Sequence, residues 1–133
     1  MITQVLLDTH IVIWLATTPE RVPKGVREIV MDAERRYISS VSFVEVAFKH
    51  RRYRAAFPYT VAFFAKGMSE LQALELPLTS VHCAKIEKLP MRHKDPFDHM
   101  LIAQAIIEDL SLVTLDADVM AYAADGLKKG WIS

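Results

Sequence analysis

Short, largely apolar runs recur from Val5 to Leu115, and stretches with helical spacing separate them. A run too short for a helix, followed by a segment with one apolar face, is the pattern of a βα unit. Parallel strands need such a crossover, and repeated units around one core place helices on both faces of a parallel sheet. Val5-Leu6-Leu7 predicts the first buried strand, Tyr37-Ile38 the second, residues 74–76 the third and residues 112–115 the fourth. Helices are predicted over residues 9–16, 24–35, 41–53, 59–71, 79–88, 96–110 and 118–124. Pro19 and Pro23 mark a loop, Pro77 and Pro90 stop the elements before them, and nothing definite is read beyond Gly126.

Composition narrows the function classes. The chain has 133 residues, the size of one domain, and 52% are hydrophobic. The mean hydropathy of +0.18 is high for a small soluble chain. It fits either an apolar interface with a partner or a generous core. Sixteen Lys and Arg balance sixteen Asp and Glu. No global basic charge advertises nucleic-acid binding, so any such contact uses local patches or an acidic site bridged by metal. Cys83 is the single cysteine, which rules out an internal disulfide. The start shows no signal-peptide pattern, and apolar runs such as residues 11–16 fall far short of the ~18 residues a membrane span needs. A soluble, cytoplasmic protein with no membrane association is expected, folded as one domain over residues 1–133.

Several acids stand where a sheet does chemistry. Asp8 directly follows the first strand, and ligands of open α/β sheets bind outside the carboxyl ends of strands. It also suits the N-cap of the next helix. Glu45 lies in a segment that is apolar nearly all round, which predicts a buried helix and a carboxylate needing a partner. Asp95-Pro96-Phe97-Asp98 opens the clearest helix; Asp95 fits the N-cap, and Asp98 could reach back as in a capping box. Asp116 follows the last strand and Asp118 comes two residues later, both able to start the final helix. Each acid has a structural excuse alone. Together they bring carboxylates to one sheet edge, where mutual repulsion favours a hard divalent cation.

The local wording carries a resemblance. Val5-Leu6-Leu7-Asp8-Thr9-His10 resembles the opening of PIN domains, the nuclease fold of VapC-type toxins of type II toxin–antitoxin systems. Ser40-Val41-Ser42-Phe43-Val44-Glu45-Val46-Ala47 is similar to their second motif, and Leu112-Val113-Thr114-Leu115-Asp116 to their fourth. The most specific stretch, Leu89-Pro90-Met91-Arg92-His93-Lys94-Asp95-Pro96-Phe97-Asp98-His99-Met100-Leu101-Ile102-Ala103-Gln104-Ala105, resembles one VapC-like subgroup. The resemblance runs over about residues 3–123. It implies a three-layer α/β/α sandwich around a central, mainly parallel sheet. It also implies a Mg²⁺- or Mn²⁺-dependent endoribonuclease that hydrolyses RNA with a metal-activated water. Asp8, Glu45, Asp98 and Asp116 would be catalytic, with Asp8, Asp98 and Asp116 holding metal and Asp95, Thr114 and Asp118 in support. A homodimer and a cognate antitoxin are the partners it implies.

Two positions depart from the subgroup: His99 stands where Arg is common, and Val44 where Trp is common. Arg always carries charge and His does not, so a salt bridge or substrate contact is at stake at residue 99. Val44 reads as a packing variation. The basic run 49–54 offers Lys49, Arg51 and Arg52 to RNA phosphates, with Tyr53 able to stack; it equally suits a solvated helix end that complements the dipole. Other chemistries fit less well. Aspartyl phosphatases usually have a second Asp where this chain has His10, and receiver domains an acidic pair that is missing around Gln4. The remaining alternative is a catalytically weak PIN-like binding module whose acids hold a partner's Arg.

Overall fold

The computed structural model describes residues 2–132. In chain order the elements are β1 (Gln4–Leu7), α1 (Thr9–Thr17), α2 (Lys24–Asp32), β2 (Arg35–Ser39), α3 (Ser40–Arg52), α4 (Val61–Glu70), β3 (Leu74–Leu76), α5 (Ser80–Ile86), α6 (Pro96–Ile107), β4 (Ser111–Val113), α7 (Ala117–Met120) and β5 (Lys128–Lys129). Short 3-10 turns cover Pro19–Arg21 and Ala121–Asp125.

The strands form one sheet in the order β3-β2-β1-β4-β5, and all four ladders are parallel. β1 lies at the centre, and Val5, Leu6 and Leu7 are fully buried. Strand side chains alternate between faces. Val5 and Leu7 accordingly join a cluster with Ile11 of α1, Val26 and Val30 of α2 and Phe64 of α4. Leu6 joins the opposite cluster with Leu101, Ile102 and Ala105 of α6 and Val119 of α7. The result is helix, sheet, helix: a three-layer α/β/α sandwich. Each buried Leu or Val contributes on the order of 1.5–3 kcal/mol, so a strand buried on both faces anchors the fold.

The connections explain where a site can form. The chain runs outward from β1 to β2 to β3, then returns past β1 to β4 and β5. Right-handed crossovers put the helices of outward and return connections on opposite faces. Where the direction reverses, between β1 and β4, a crevice opens at the carboxyl ends of the strands. The first residues past those ends are Asp8 and Thr114.

Several element ends differ from expectation for local reasons. α2 stops at Asp32 rather than residue 35. The Arg36 guanidinium donates to the carbonyls of Val30 (3.2 Å) and Ala33 (2.8 Å), closing the helix end and releasing Arg35 to β2. α6 stops at Ile107 rather than residue 110 because Asp109 takes a left-handed conformation (φ 57°). The Leu110 N–H then donates to the Ala105 carbonyl at 2.8 Å, a Schellman closure. β4 covers residues 111–113, so Thr114 and Leu115 belong to the turn that leads to the site. The last helix starts at Ala117 and gives way to the 3-10 turn at Ala121. β5 was invisible in sequence, because two lysines carry no strand pattern. α3 is not buried all round: Val44 is 44% and Phe48 56% exposed. The Val44 variation is therefore on the surface, not in the packing. No helix among the described residues is long and apolar enough to cross a membrane.

The β5 edge depends on Gly130. A Cβ there would lie 2.5 Å from the Leu112 carbonyl carbon and oxygen, backbone that cannot move aside. Gly67, within α4, has open space around it. Gly130→Ala is expected to destabilise the protein by about 2 kcal/mol or more. Gly67→Ala is expected to stabilise it by about 0.5–1 kcal/mol. Urea unfolding of both variants beside wild type checks the pair, and equal midpoints for all three would refute the close approach.

Candidate metal centre

Asp8 is the fixed point of the crevice. Its backbone N–H donates to the Val113 carbonyl at 2.9 Å, carrying the β1–β4 ladder one residue past the strand. Its side chain caps α1: Oδ1 accepts from the Thr9 N–H at 2.7 Å. Oδ2 accepts from the Thr114 hydroxyl at 2.8 Å. That hydroxyl in turn accepts from the Asp116 N–H at 3.0 Å. Cap and site are thus the same carboxylate, and Thr114, fully buried, ties both strand ends together.

Glu45 comes from α3, whose start is capped by Ser39. The Thr9 hydroxyl donates to Glu45 Oε1 at 2.6 Å and lies 2.8 Å from the Ser42 hydroxyl. With its one proton committed to Glu45, the Thr9 oxygen receives the Ser42 proton. Burial pushes the Glu45 pKa up to about 7. The Thr9 hydrogen bond opposes that shift, and the charges of Asp8, Asp95 and Asp98 add to it.

The start of α6 divides its two acids. Asp95 caps the helix, accepting from the Phe97 N–H at 2.9 Å, with Pro96 in the first turn. Asp98 does not complete a capping box. Its Oδ2 pairs with His93 Nε2 at 2.6 Å. Burial, then the charges of Asp8 and Asp95, raise the Asp98 pKa to about 6 against the lowering effect of His93. Behind it, six residues of α6 are buried, as its apolar sequence implies.

Asp116 caps α7 through the Asp118 N–H at 2.9 Å, and its side chain is 36% exposed. Asp118 points outward, with its side chain 70% exposed and Oδ2 3.9 Å from His93 Nδ1. Burial tends to lower the His93 pKa, but its bond to Asp98 and the charges of Asp98, Asp116 and Asp118 outweigh this and raise it.

Asp8, Glu45, Asp95, Asp98 and Asp116 line one cavity of about 250 Å³. Lys49 stands on its wall, its ammonium 4.9 Å from the Phe57 ring centre. Arg51 and Arg52 are exposed and do not line the cavity; the Arg52 guanidinium covers the Tyr53 ring at 5.3 Å. Four residues enter the site that the sequence reading did not single out. Thr9 holds Glu45, and Ser42 acts on it through Thr9. His10 accepts from the Leu115 N–H through Nε2 (3.2 Å) and sets Nδ1 3.6 Å from Asp8 Oδ2. His93 belongs to an irregular loop, where no periodicity could flag it.

The donor chemistry fits a divalent cation. Carboxylate oxygens dominate the cavity, which suits Mg²⁺ or Mn²⁺. Two of the acids are held above the usual carboxylate range, first by burial and then by the neighbouring carboxylates. Among the described residues, one donor atom each from His93, Asp98 and Asp116 lies within 4.8 Å of the others. Asp8, expected with Asp98 and Asp116, borders the same cavity outside that trio.

A family model described as PIN domain matches residues 5–125. The chain is 26% identical over 115 residues to Ribonuclease VapC22 of Mycobacterium tuberculosis (strain ATCC 25618 / H37Rv), covering 86% of this chain and 88% of that protein. The fold is shared with VapBC2 from Rickettsia felis bound to a promoter DNA fragment (TM-score 0.69, 16% identity, 98% of both chains). It is shared also with DNA-bound VapBC from Salmonella typhimurium (TM-score 0.69, 18% identity, 98% of both chains). A toxin–antitoxin complex from Klebsiella pneumoniae gives a TM-score of 0.62 at 17% identity, over 97% of this chain and 96% of that one.

The raised acids give a sign to the pH dependence. An unfolded Glu releases its proton near pH 4.5, and folded Glu45 does so near 7. Between those values the folded state binds more protons, so stability present at low pH is lost as pH rises through about 7. Asp98 acts in the same direction between 3.8 and about 6. In EDTA-treated protein, Tm is expected to fall by roughly 3–6 °C between pH 5 and pH 8. Glu45→Gln should flatten that fall; parallel curves for the two proteins would sink the assignment.

Proposed function

This chain belongs to the PIN domain family, and we propose that it is a divalent-metal-dependent endoribonuclease acting as the toxin of a toxin–antitoxin pair. The observation that carries the reading is the cavity at the β1–β4 reversal, where acids from four separate segments converge and two resist ionisation. A structural set of caps would not need Glu45, which caps nothing.

Asp8, Asp98 and Asp116 would hold the ion. When bound, Mg²⁺ or Mn²⁺ supplies a water of lowered pKa and neutralises a phosphate under attack. The chain's own residues do the rest. Thr114 orients the Asp8 carboxylate and anchors the Asp116 backbone N–H beside it. Glu45, titrating near neutrality and aimed by Thr9, is suited to take a proton at a carboxylate oxygen. Lys49 offers its ammonium to a phosphate at the cavity wall, and Arg51 and Arg52 extend that positive charge along the end of α3. Asp95 and Asp118 support from the helix starts.

The VapBC complexes sharing this fold support a cognate antitoxin as partner. A homodimer is part of the same reading, and exposed Val44 and Phe48 on α3 provide apolar surface for assembly. Residues 1–133 would act as one nuclease domain in the cytoplasm.

Induced expression followed by sequencing of new RNA 5′ and 3′ ends tests the activity. Wild type is expected to generate discrete new ends. Asp8→Asn, Asp98→Asn and Asp116→Asn, each checked for folding by circular dichroism, are expected to reduce them by about 100-fold or more. Identical end profiles for wild type and all three variants would overturn the ribonuclease reading in favour of a pocket that binds a partner's Arg.

A further inference from the structure

The loop between α5 and α6 sets the His93 side chain against two acids that line the cavity. His93 Nε2 lies 2.6 Å from Asp98 Oδ2 and 3.9 Å from Asp116 Oδ2. Donor atoms of the three residues fall within 4.8 Å of one another, close enough for one ion to bridge after small side-chain rotations. The loop is irregular, yet its backbone at His93 is tied from both sides. The His93 N–H donates to the Tyr122 hydroxyl at 3.2 Å, and the His93 carbonyl faces His99 Nε2 at 2.5 Å. Tyr122 donates to the Pro90 carbonyl at 2.8 Å and accepts from the Arg92 N–H at 3.0 Å. Tyr122 is fully buried and His99 8% exposed. Burying a hydroxyl and an imidazole costs free energy unless both are satisfied. Here the Tyr122 hydroxyl spends its proton and both lone pairs on the loop, and the His99 Nε2–H is directed at the His93 carbonyl. What that rigidity fixes in space is the His93 ring beside two carboxylates.

We infer that His93 is a metal ligand in this chain, joining Asp98 and Asp116, with Tyr122 and His99 as the residues that position it. The inference rests on the metal-site reading above. Its consequence is selectivity. Mg²⁺ prefers oxygen ligands, and an imidazole nitrogen favours first-row transition ions in Irving–Williams order. A site with one imidazole and two carboxylates therefore favours Mn²⁺ and Co²⁺ over Mg²⁺ more strongly than an all-carboxylate site does. A second role follows for Tyr122 and His99: they replace motion in the loop with a fixed ligand direction, as partners behind a ligand do.

Calorimetric titration of the full chain with Mg²⁺ and with Co²⁺, together with the Co²⁺ visible spectrum, tests the assignment without measuring cleavage. His93→Ala is expected to weaken Co²⁺ binding by about tenfold or more, to change Mg²⁺ binding much less, and to alter the Co²⁺ spectrum. His93→Gln, which keeps a hydrogen-bond donor for Asp98, should not restore Co²⁺ affinity. Equal losses for both ions, unchanged Co²⁺ binding, rescue by Gln, or tighter binding in His93→Ala would each overturn the inference; the last would mark His93 as a cation competing with the metal. Asp98→Asn separates the two readings. If it abolishes binding while His93→Ala behaves as wild type, only the His93 inference falls. If Asp98→Asn binds both ions as wild type does, the cavity is not the metal site and the proposed function falls with it.

Discussion

The pairing of β1 with β4 is the constraint on which everything at this edge depends. Leu7 stands opposite Val113, and the Asp8 N–H continues that ladder to the Val113 carbonyl. One residue further, the Thr114 hydroxyl spans a sequence separation of 106 to reach Asp8. The contact is possible because the chain returns past β1 after building the other half of the sheet. Without that reversal the two strand ends would diverge, and no crevice would gather the remaining acids. Fold and site are joined at a pair of adjacent backbone segments whose side chains beyond the strands are polar.

Gathering acids in this way works against stability. A buried carboxylate needs donors, and the site supplies them unequally. Asp8 receives the Thr9 N–H and the Thr114 hydroxyl, two donors already fixed by the helix start and the strand end. Glu45 receives the Thr9 hydroxyl, and Asp98 receives His93. For these two acids, burial and neighbouring charge still outweigh the donors, and their pKa values rise. An edge selected only for stability would place neutral side chains in these positions, since replacing buried charge by apolar groups is often neutral or better. On the proposed reading, a bound cation would offset both the burial of these acids and their mutual repulsion.

How much of this was legible follows from what each residue advertises. Val5-Leu6-Leu7 is buried on both faces and shows as a continuous apolar run, so the central strand was visible. Asp8, Asp98 and Asp116 follow strands or open helices, and position alone brought them under suspicion; the structure lines one cavity with them and with Glu45. The rest depended on contacts between distant segments. Nothing near Lys24 announces that Arg36 will close α2, and nothing in Lys128–Lys129 announces a strand, whose pairing rests on Gly130 lying against Leu112. Thr9 looked like a first-turn residue until α3 brought Glu45 to it. His93 has neither periodicity nor a cap to betray it, because its position is set by a tyrosine 29 residues later.

His99 is spent on the loop beside the acidic edge rather than on the acids themselves. The resembled subgroup commonly has Arg at this position, and a guanidinium cannot shed its charge. An imidazole can sit uncharged in a buried place, and here its Nε2 is directed at the His93 carbonyl and the Tyr122 hydroxyl rather than at any carboxylate. Residue 99 thus serves the loop and contributes no fixed positive charge to the acids. Among the described residues lining the cavity, Lys49 is the one Lys or Arg, against five carboxylates. A phosphate approaching that wall meets more repulsion than one ammonium offsets. On the proposed reading, a bound cation would offset the negative charge that a phosphate meets at that wall.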